Sequence, residues 1–191
     1  MKVLGGTSRA SVITLRKALA DAVSKQSASD AASFASDLFT ILTVLSSSVG
    51  LRRALTDNSR DKSAKAELIS NLFGKNIKAD AQAILATAAS LRWSSPSELA
   101  DAVEHLAVEA QSAAAEKSNE QEALESELFD FARVLIANPD FRQALNTSAD
   151  SNEGKLALLD AVVKGKYASS TLTLLQKVVT LRRGRSIDAT L

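Results

Sequence analysis

The chain has no cysteine. Disulfides, thiolate nucleophiles and thiolate metal sites are excluded together, so the fold must be held by packing, as is usual in a reducing compartment. Only two prolines and seven glycines interrupt 191 residues, and six Phe, one Trp and one Tyr are all the aromatics. What is left is dominated by Ala, Leu and Ser, with Lys and Glu among the rest, mostly helix-compatible residues. Neither sign of charge prevails: 23 Lys and Arg face 22 Asp and Glu. A net charge of +1 supplies no field for gathering nucleic acid or for steering toward anionic lipid. The start, Met1-Lys2-Val3-Leu4-Gly5-Gly6, has no apolar stretch of signal-peptide length. No run approaches the ~20 apolar residues of a membrane span, so none is expected. An apolar share of 46% with 24% charged residues is ordinary for a globular chain, and the expected class is all-α, an antiparallel helical bundle.

The chain also repeats itself. Ser36, Leu38, Phe39, Val44, Leu45, Arg52, Ala54, Leu55, Lys65 and Leu68 reappear 90 positions on as Ser126, Leu128, Phe129, Val134, Leu135, Arg142, Ala144, Leu145, Lys155 and Leu158. Gly74-Lys75 answers Gly165-Lys166 with one residue inserted, and Leu91-Arg92 answers Leu181-Arg182 back in register. Single insertions at loops are what duplicated modules accumulate, so the bundle is expected to be internally duplicated.

Helical periodicity lays out the elements. Leu15, Leu19, Ala22 and Val23 predict a first helix from Ser11 to about Gln26. Phe34, Leu38, Ile41, Leu42 and Leu45 define a second, ending in Ser46-Ser47-Ser48. Ser48 can cap a short third helix carrying Leu51, Ala54 and Leu55, and in the second copy Asn138 does so, with Pro139 at the first helical position. Ser59 or Asp61 opens a fourth, with Ala64, Leu68, Ile69 and Leu72 inward and Gly74 as its stop; its twin runs from about Ser151 to Lys164. Residues 79–93 form a fifth with Ile84, Leu85, Ala88 and Leu91, mirrored by Leu172, Leu174, Leu175, Val178, Val179 and Leu181. Ser95-Pro96-Ser97-Glu98 reads as a capping box opening a long helix to about Lys117. The polar 116–121 stretch places a boundary there: a first bundle over 1–117 and a second copy over 118–191.

Chemistry is scarce. Gly5-Gly6-Thr7 lacks the lysine of a phosphate loop, and Gly74-Lys75 lacks loop and hydroxyl alike. His105 has no nucleophile to serve and reads as a boundary residue beside Leu106. Glu120, Glu122, Glu125 and Glu127 spread around a helix, a solvated face and not a metal site. Arg182, Arg183 and Arg185 form the densest basic patch, without the interleaved aromatics that stack bases, and Trp93 reads as a packing plug. No catalytic residue, cofactor or metal is assigned.

Four segments nevertheless carry a resemblance: Leu51-Arg52-Arg53-Ala54-Leu55-Thr56-Asp57, Leu72-Phe73-Gly74-Lys75, Leu91-Arg92-Trp93-Ser94-Ser95-Pro96 with Leu99, and Glu127-Leu128-Phe129-Asp130-Phe131-Ala132-Arg133. In order and spacing they resemble the delta subunit of bacterial F-type ATP synthase, in its actinobacterial form, related to the mitochondrial oligomycin-sensitivity-conferring protein. The resemblance implies a non-catalytic stator part of the peripheral stalk, linking the catalytic head to the membrane sector so that proton flow stays coupled to ATP synthesis. It implies a peripheral position on the cytoplasmic face of the cell membrane. In that family a helical N-terminal domain grips the N-terminal helices of the alpha subunits, and a C-terminal domain holds subunit b.

The family's grip lies between the first and fifth helices of the domain, which makes Leu15, Leu19, Val23, Leu85, Ala88 and Ala89 candidates for a partner-helix groove, with Leu175, Val178 and Val179 in the second copy. The same residues are candidate core. The family continues beyond the position matching Asp188 into its stalk-binding domain, whereas this sequence stops at Leu191, so attachment to subunit b is the less supported expectation. A free-standing adaptor for some other amphipathic helix is the competing reading.

Overall fold

The computed structural model describes residues 4–147, 151–163 and 165–191. Among them lie ten α-helices and no strand: α1 Gly6–Val23, α2 Ala28–Ser47, α3 Val49–Thr56, α4 Lys62–Phe73, α5 Ala79–Ser90, α6 Pro96–Lys117, α7 Gln121–Ala137, α8 Pro139–Asn146, α9 Asn152–Val163 and α10 Ser169–Thr180, followed by a single 3-10 turn at Ile187–Ala189. The chain divides into two compact units, Met1–Ala114 and Ala115–Leu191. The fold class is all-α.

In the first unit α5 is the hub, packed against α1, α2, α3 and α4. Its Ala81, Ala88 and Ala89 are fully or almost fully buried, and side chains this small let neighbouring helices approach closely. In the second unit α10 lies on α9 and α7, while α8 bridges α7, α9 and the terminal turn. Its core gathers Phe131, Leu135, Leu145, Leu159, Val163, Leu175 and Ile187. Phe131 meets Phe141 edge to face, with ring centroids 6.3 Å apart.

The structure corrects several sequence expectations. α2 is in fact long and apolar enough to cross a membrane by length and composition. It is instead a core helix, with Phe34, Leu38, Ile41, Leu42 and Leu45 buried in the unit and Asp30 and Asp37 among its residues. The inward stripe of α4 is Lys65, Ile69 and Phe73, while Ala64 and Leu72 are exposed. α9 repeats that stripe as Lys155, Leu159 and Val163, and the expected end of that helix, Lys164, lies outside the described residues. α1 starts at Gly6, well before Ser11, and α5 ends at Ser90. Leu91 there is extended, its N–H donating to the Ala88 carbonyl at 3.2 Å, and the Trp93 indole donates to the same carbonyl at 2.9 Å, a second bond on the helix's last turn.

Helix ends show the same pattern of substitution. Ser48 caps α3 as expected, its Oγ accepting from the Leu51 N–H at 3.1 Å. Asn138 does not cap α8; its amide donates back to the Val134 carbonyl, although Pro139 does occupy the first turn. The capping box is not made either. Ser95 Oγ pairs with Ser97 Oγ, and the Glu98 carboxylate turns to the Gly5 N–H at the start of α1. Gly74 does not adopt a left-handed stop: a Cβ there would stand 2.5 Å from the Ser70 carbonyl oxygen, and this clash is what reserves the position for glycine.

Substitution should separate core from surface at two phenylalanines. Phe34→Ala, at a fully buried position, is expected to cost about 3–5 kcal/mol in urea unfolding, and Phe129→Ala, at a position 74% exposed, less than about 0.5 kcal/mol. Equal losses would mean that the burial described here is wrong.

Candidate partner-docking surface

All nine candidate groove residues are buried. Leu15, Leu85, Ala88 and Leu175 are fully covered, and Leu19, Val23, Ala89, Val178 and Val179 nearly so. They are brought together as core: α1 packs directly on α5, and α10 on α7 and α9. A partner helix must therefore be met by the side chains that flank them. On α1, Ala18 and Ala22 are half-buried on the side of Ser11, whose hydroxyl donates to the Arg92 carbonyl just beyond α5 at 2.7 Å. On α10 the half-buried strip is Thr173, Gln176, Lys177 and Thr180, one helical face at spacings of three and four.

Sequence reasoning missed the most open apolar surface. α7 carries Phe129 and Ile136, 74% and 75% exposed, seven residues apart on one face. With Leu128, Ala132, Leu135 and Leu191 they line a groove of about 450 Å³. Contiguous exposed apolar surface of this kind marks interfaces in soluble proteins. The signal was present in the repeat, since the matching Phe39 is buried at 3%, but periodicity alone cannot report which copy leaves its phenylalanine uncovered.

The remaining polar candidates resolve into structure. His105 is half-buried, at the edge of the α6 stripe. Among the described residues no group of acidic, His or Cys side chains is arranged to hold a metal ion. The acidic stretch is not merely a solvated face. Glu120 accepts from the Ser170 N–H at 3.0 Å and from the Ser169 hydroxyl, and the Glu127 carboxylate accepts from the Ala168 N–H at 2.9 Å. Both carboxylates sit at the N-terminus of α10, where orphan N–H groups and the helix dipole favour negative charge. Hydrogen bonding from Ser170, then from Ser169, holds the Glu120 carboxyl below its ordinary range. In the first unit Asp37 does for α5 what Glu127 does for α10, accepting from the Lys78 N–H at 2.9 Å.

Among the described residues these surfaces offer apolar and half-buried helix faces and bring together no set of nucleophile, base and oxyanion donors. Comparison with known proteins is consistent in kind. The family profile described as ATP synthase delta (OSCP) subunit matches residues 108–191. ATP synthase subunit delta of Streptomyces coelicolor is 34% identical over 99% of this chain and 69% of its own length. The chain belongs to the ATP synthase delta (OSCP) subunit family. The subunit delta of Kineococcus radiotolerans is 39% identical over 94% of this chain and 64% of its own length, and that of Thermobifida fusca 32% identical over 96% and 67%. The chain thus spans about two thirds of the length of these relatives. Delta (OSCP) subunits are structural parts of the stalk and not catalysts.

The Glu120 contact has a pH signature. Because its folded-state pKa is depressed, its contribution is present above the unfolded carboxylate value near ~4.3 and is lost as pH falls through the folded value. Glu120→Gln should lower stability at pH 7 by about 0.5 kcal/mol, the low end for a helix cap because the group is solvent-screened. Thermal unfolding of both proteins from pH 7 down to pH 3 should show the gap closing on acidification; a gap that widened would reverse the assignment.

Proposed function

We propose that this chain serves in the peripheral stalk of an F-type ATP synthase as a non-catalytic stator part, docking onto the alpha subunits of the head and lying peripherally on the cytoplasmic face of the membrane. Similarity along nearly the whole chain to subunit delta of Streptomyces coelicolor is the observation that carries this reading. The physical make-up suits it. A near-neutral bundle with apolar surface left over can hold amphipathic partner helices through contacts at helical spacing, and resists rotor torque by packing without transferring any group.

We further propose that the second unit holds the N-terminal helix of an alpha subunit. The match to the family profile over residues 108–191, which takes in α7–α10, supports this choice. Leu175, Val178 and Val179 then form the floor beneath the partner, and Thr173 and Gln176 meet it. In the first unit Leu15, Leu19, Val23, Leu85, Ala88 and Ala89 hold α1 to α5. The exposed Phe129 and Ile136 groove offers a second apolar surface, suited to a stalk helix such as that of subunit b.

A labelled peptide from the alpha-subunit N-terminus should bind the full chain with saturable anisotropy. Thr173→Arg, on the open strip of α10, should weaken it about tenfold or more, while Ala18→Arg on α1 should not change it. Absence of binding by the unaltered chain would count against the stator reading. Sensitivity to Ala18→Arg alone would move the grip to the first unit.

A further inference from the structure

Phe129 and Ile136 stand two helical turns apart on α7, about 10.5 Å along its axis and on one face. They are 74% and 75% exposed, while Leu135 is buried and Leu128 and Ala132 half-buried. Ala132 is small and lies between the two large side chains, so the face has two ridges and a hollow. Leu191 and Asp188 stand along the same groove. Ninety positions earlier the residues matching Leu128, Phe129, Ala132 and Leu135 are Leu38, Phe39, Leu42 and Leu45, each no more than 3% exposed. A face of this composition is covered in the first unit and open in the second.

The charges that line the groove are of one sign, Glu125 and Asp188. Glu125, one turn before Phe129, accepts from the neutral Gln121 amide at 3.4 Å, a contact that leaves its charge uncompensated. Asp188 has the Arg142 guanidinium at 3.8 Å, a long pair between exposed side chains and therefore a weak one. The cation of α7, Arg133, is held by Asp130. At the position matching Glu125 the first unit has Ala35, fully buried. A purely apolar cover would leave the Glu125 carboxylate out of water with no partner, so whatever closes this end of the groove must bring a cation.

We propose that this groove is the docking site of a cationic amphipathic helix of a partner protein. An apolar residue of that helix enters the hollow over Ala132, between Phe129 and Ile136, and lysine or arginine on its flank pairs with Glu125 and Asp188. Helices seated in grooves use apolar anchors at i, i+3 or i+4 and i+7, the spacing that α7 itself presents. The proposal rests on the reading of the chain as a stalk part and deepens it: of the helices a stalk brings together, this groove accepts one with basic flanks. An acidic helix of equal hydrophobicity is rejected by the same carboxylates, which is how an apolar face acquires specificity.

The test uses two labelled helical peptides of about five turns, each with one leucine stripe at helical spacing, flanked by lysines in one and by glutamates in the other. Both are titrated with the full chain and followed by anisotropy. The lysine peptide should bind saturably and about tenfold or more tighter than the glutamate peptide, with the gap narrowing as salt is raised. Glu125→Lys should reverse that preference. Phe129→Ser, at an exposed position the core does not use, should weaken the lysine peptide about tenfold or more with little change in thermal midpoint. The alpha-subunit peptide should bind both variants as it binds the unaltered chain. If that peptide fails to bind while the lysine peptide still responds to Glu125 and Phe129, the stator reading falls and the groove assignment stands. Equal affinity for the two designed peptides, or a preference indifferent to Glu125→Lys, overturns the proposal. So does self-association of the chain that Phe129→Ser abolishes, which would make the face an interface between copies.

Discussion

Helices of eight and twelve residues do not persist in water alone, because the cost of nucleation is recovered only over longer runs. α3 and α8 have eight residues, and α4, α5, α9 and α10 twelve. Each exists here because one face is removed from water by its neighbours, and the constraint that shapes the chain is that these faces must be spent on one another. α5 shows the consequence most clearly: Ala81, Leu85, Ala88 and Ala89 are wholly committed to the unit, leaving only the shoulders of the helix for anything else. Docking therefore has to use side chains the core has not consumed, and Phe129 and Ile136 are the most exposed of the large apolar ones among the described residues.

Packing also supplies the helix ends. Few caps here are local. Asp37 and Glu127 reach from α2 and α7 to the first N–H groups of α5 and α10, and Arg52 of α3 donates to the Leu45 and Ser46 carbonyls at the end of α2. Lys65 of α4 closes the end of α5. A side chain that caps a helix from a neighbouring helix ties the ends of both to the same packing, so the polar contacts reinforce the hydrophobic ones instead of competing with them.

This explains which features were legible in the sequence. Apolar residues at a period of 3.6 report burial directly, so the helices and most of their inward faces could be read from Leu, Ile, Val and Phe alone. A lysine in the buried stripe of α4 could not, because the carbonyl that satisfies it belongs to Ala89, 24 positions away. Local motif reasoning failed at Ser95–Glu98 for the same reason: the Glu98 carboxylate found the Gly5 N–H, 93 positions away, in place of the nearby serine. The nine groove candidates illustrate the converse limit. Their spacing identifies an apolar face, yet core and docking surface carry the same pattern, and only the packing of α1 on α5 shows that the face is already covered.

The two units are most informative where matched positions diverge. Phe39 is covered and Phe129 is open, and Trp93 plugs a helix end where Arg183 stands in the second unit. The helices that carry these residues run 20, 8, 12 and 12 residues in one unit and 17, 8, 12 and 12 in the other. Matching helix lengths leave the units differing in how completely a helix face is covered, as Phe39 and Phe129 show. The first unit closes the end of α5 with Trp93 and Lys65, whereas the second leaves Phe129 and Ile136 facing solvent, apolar surface that gains free energy when a partner covers it.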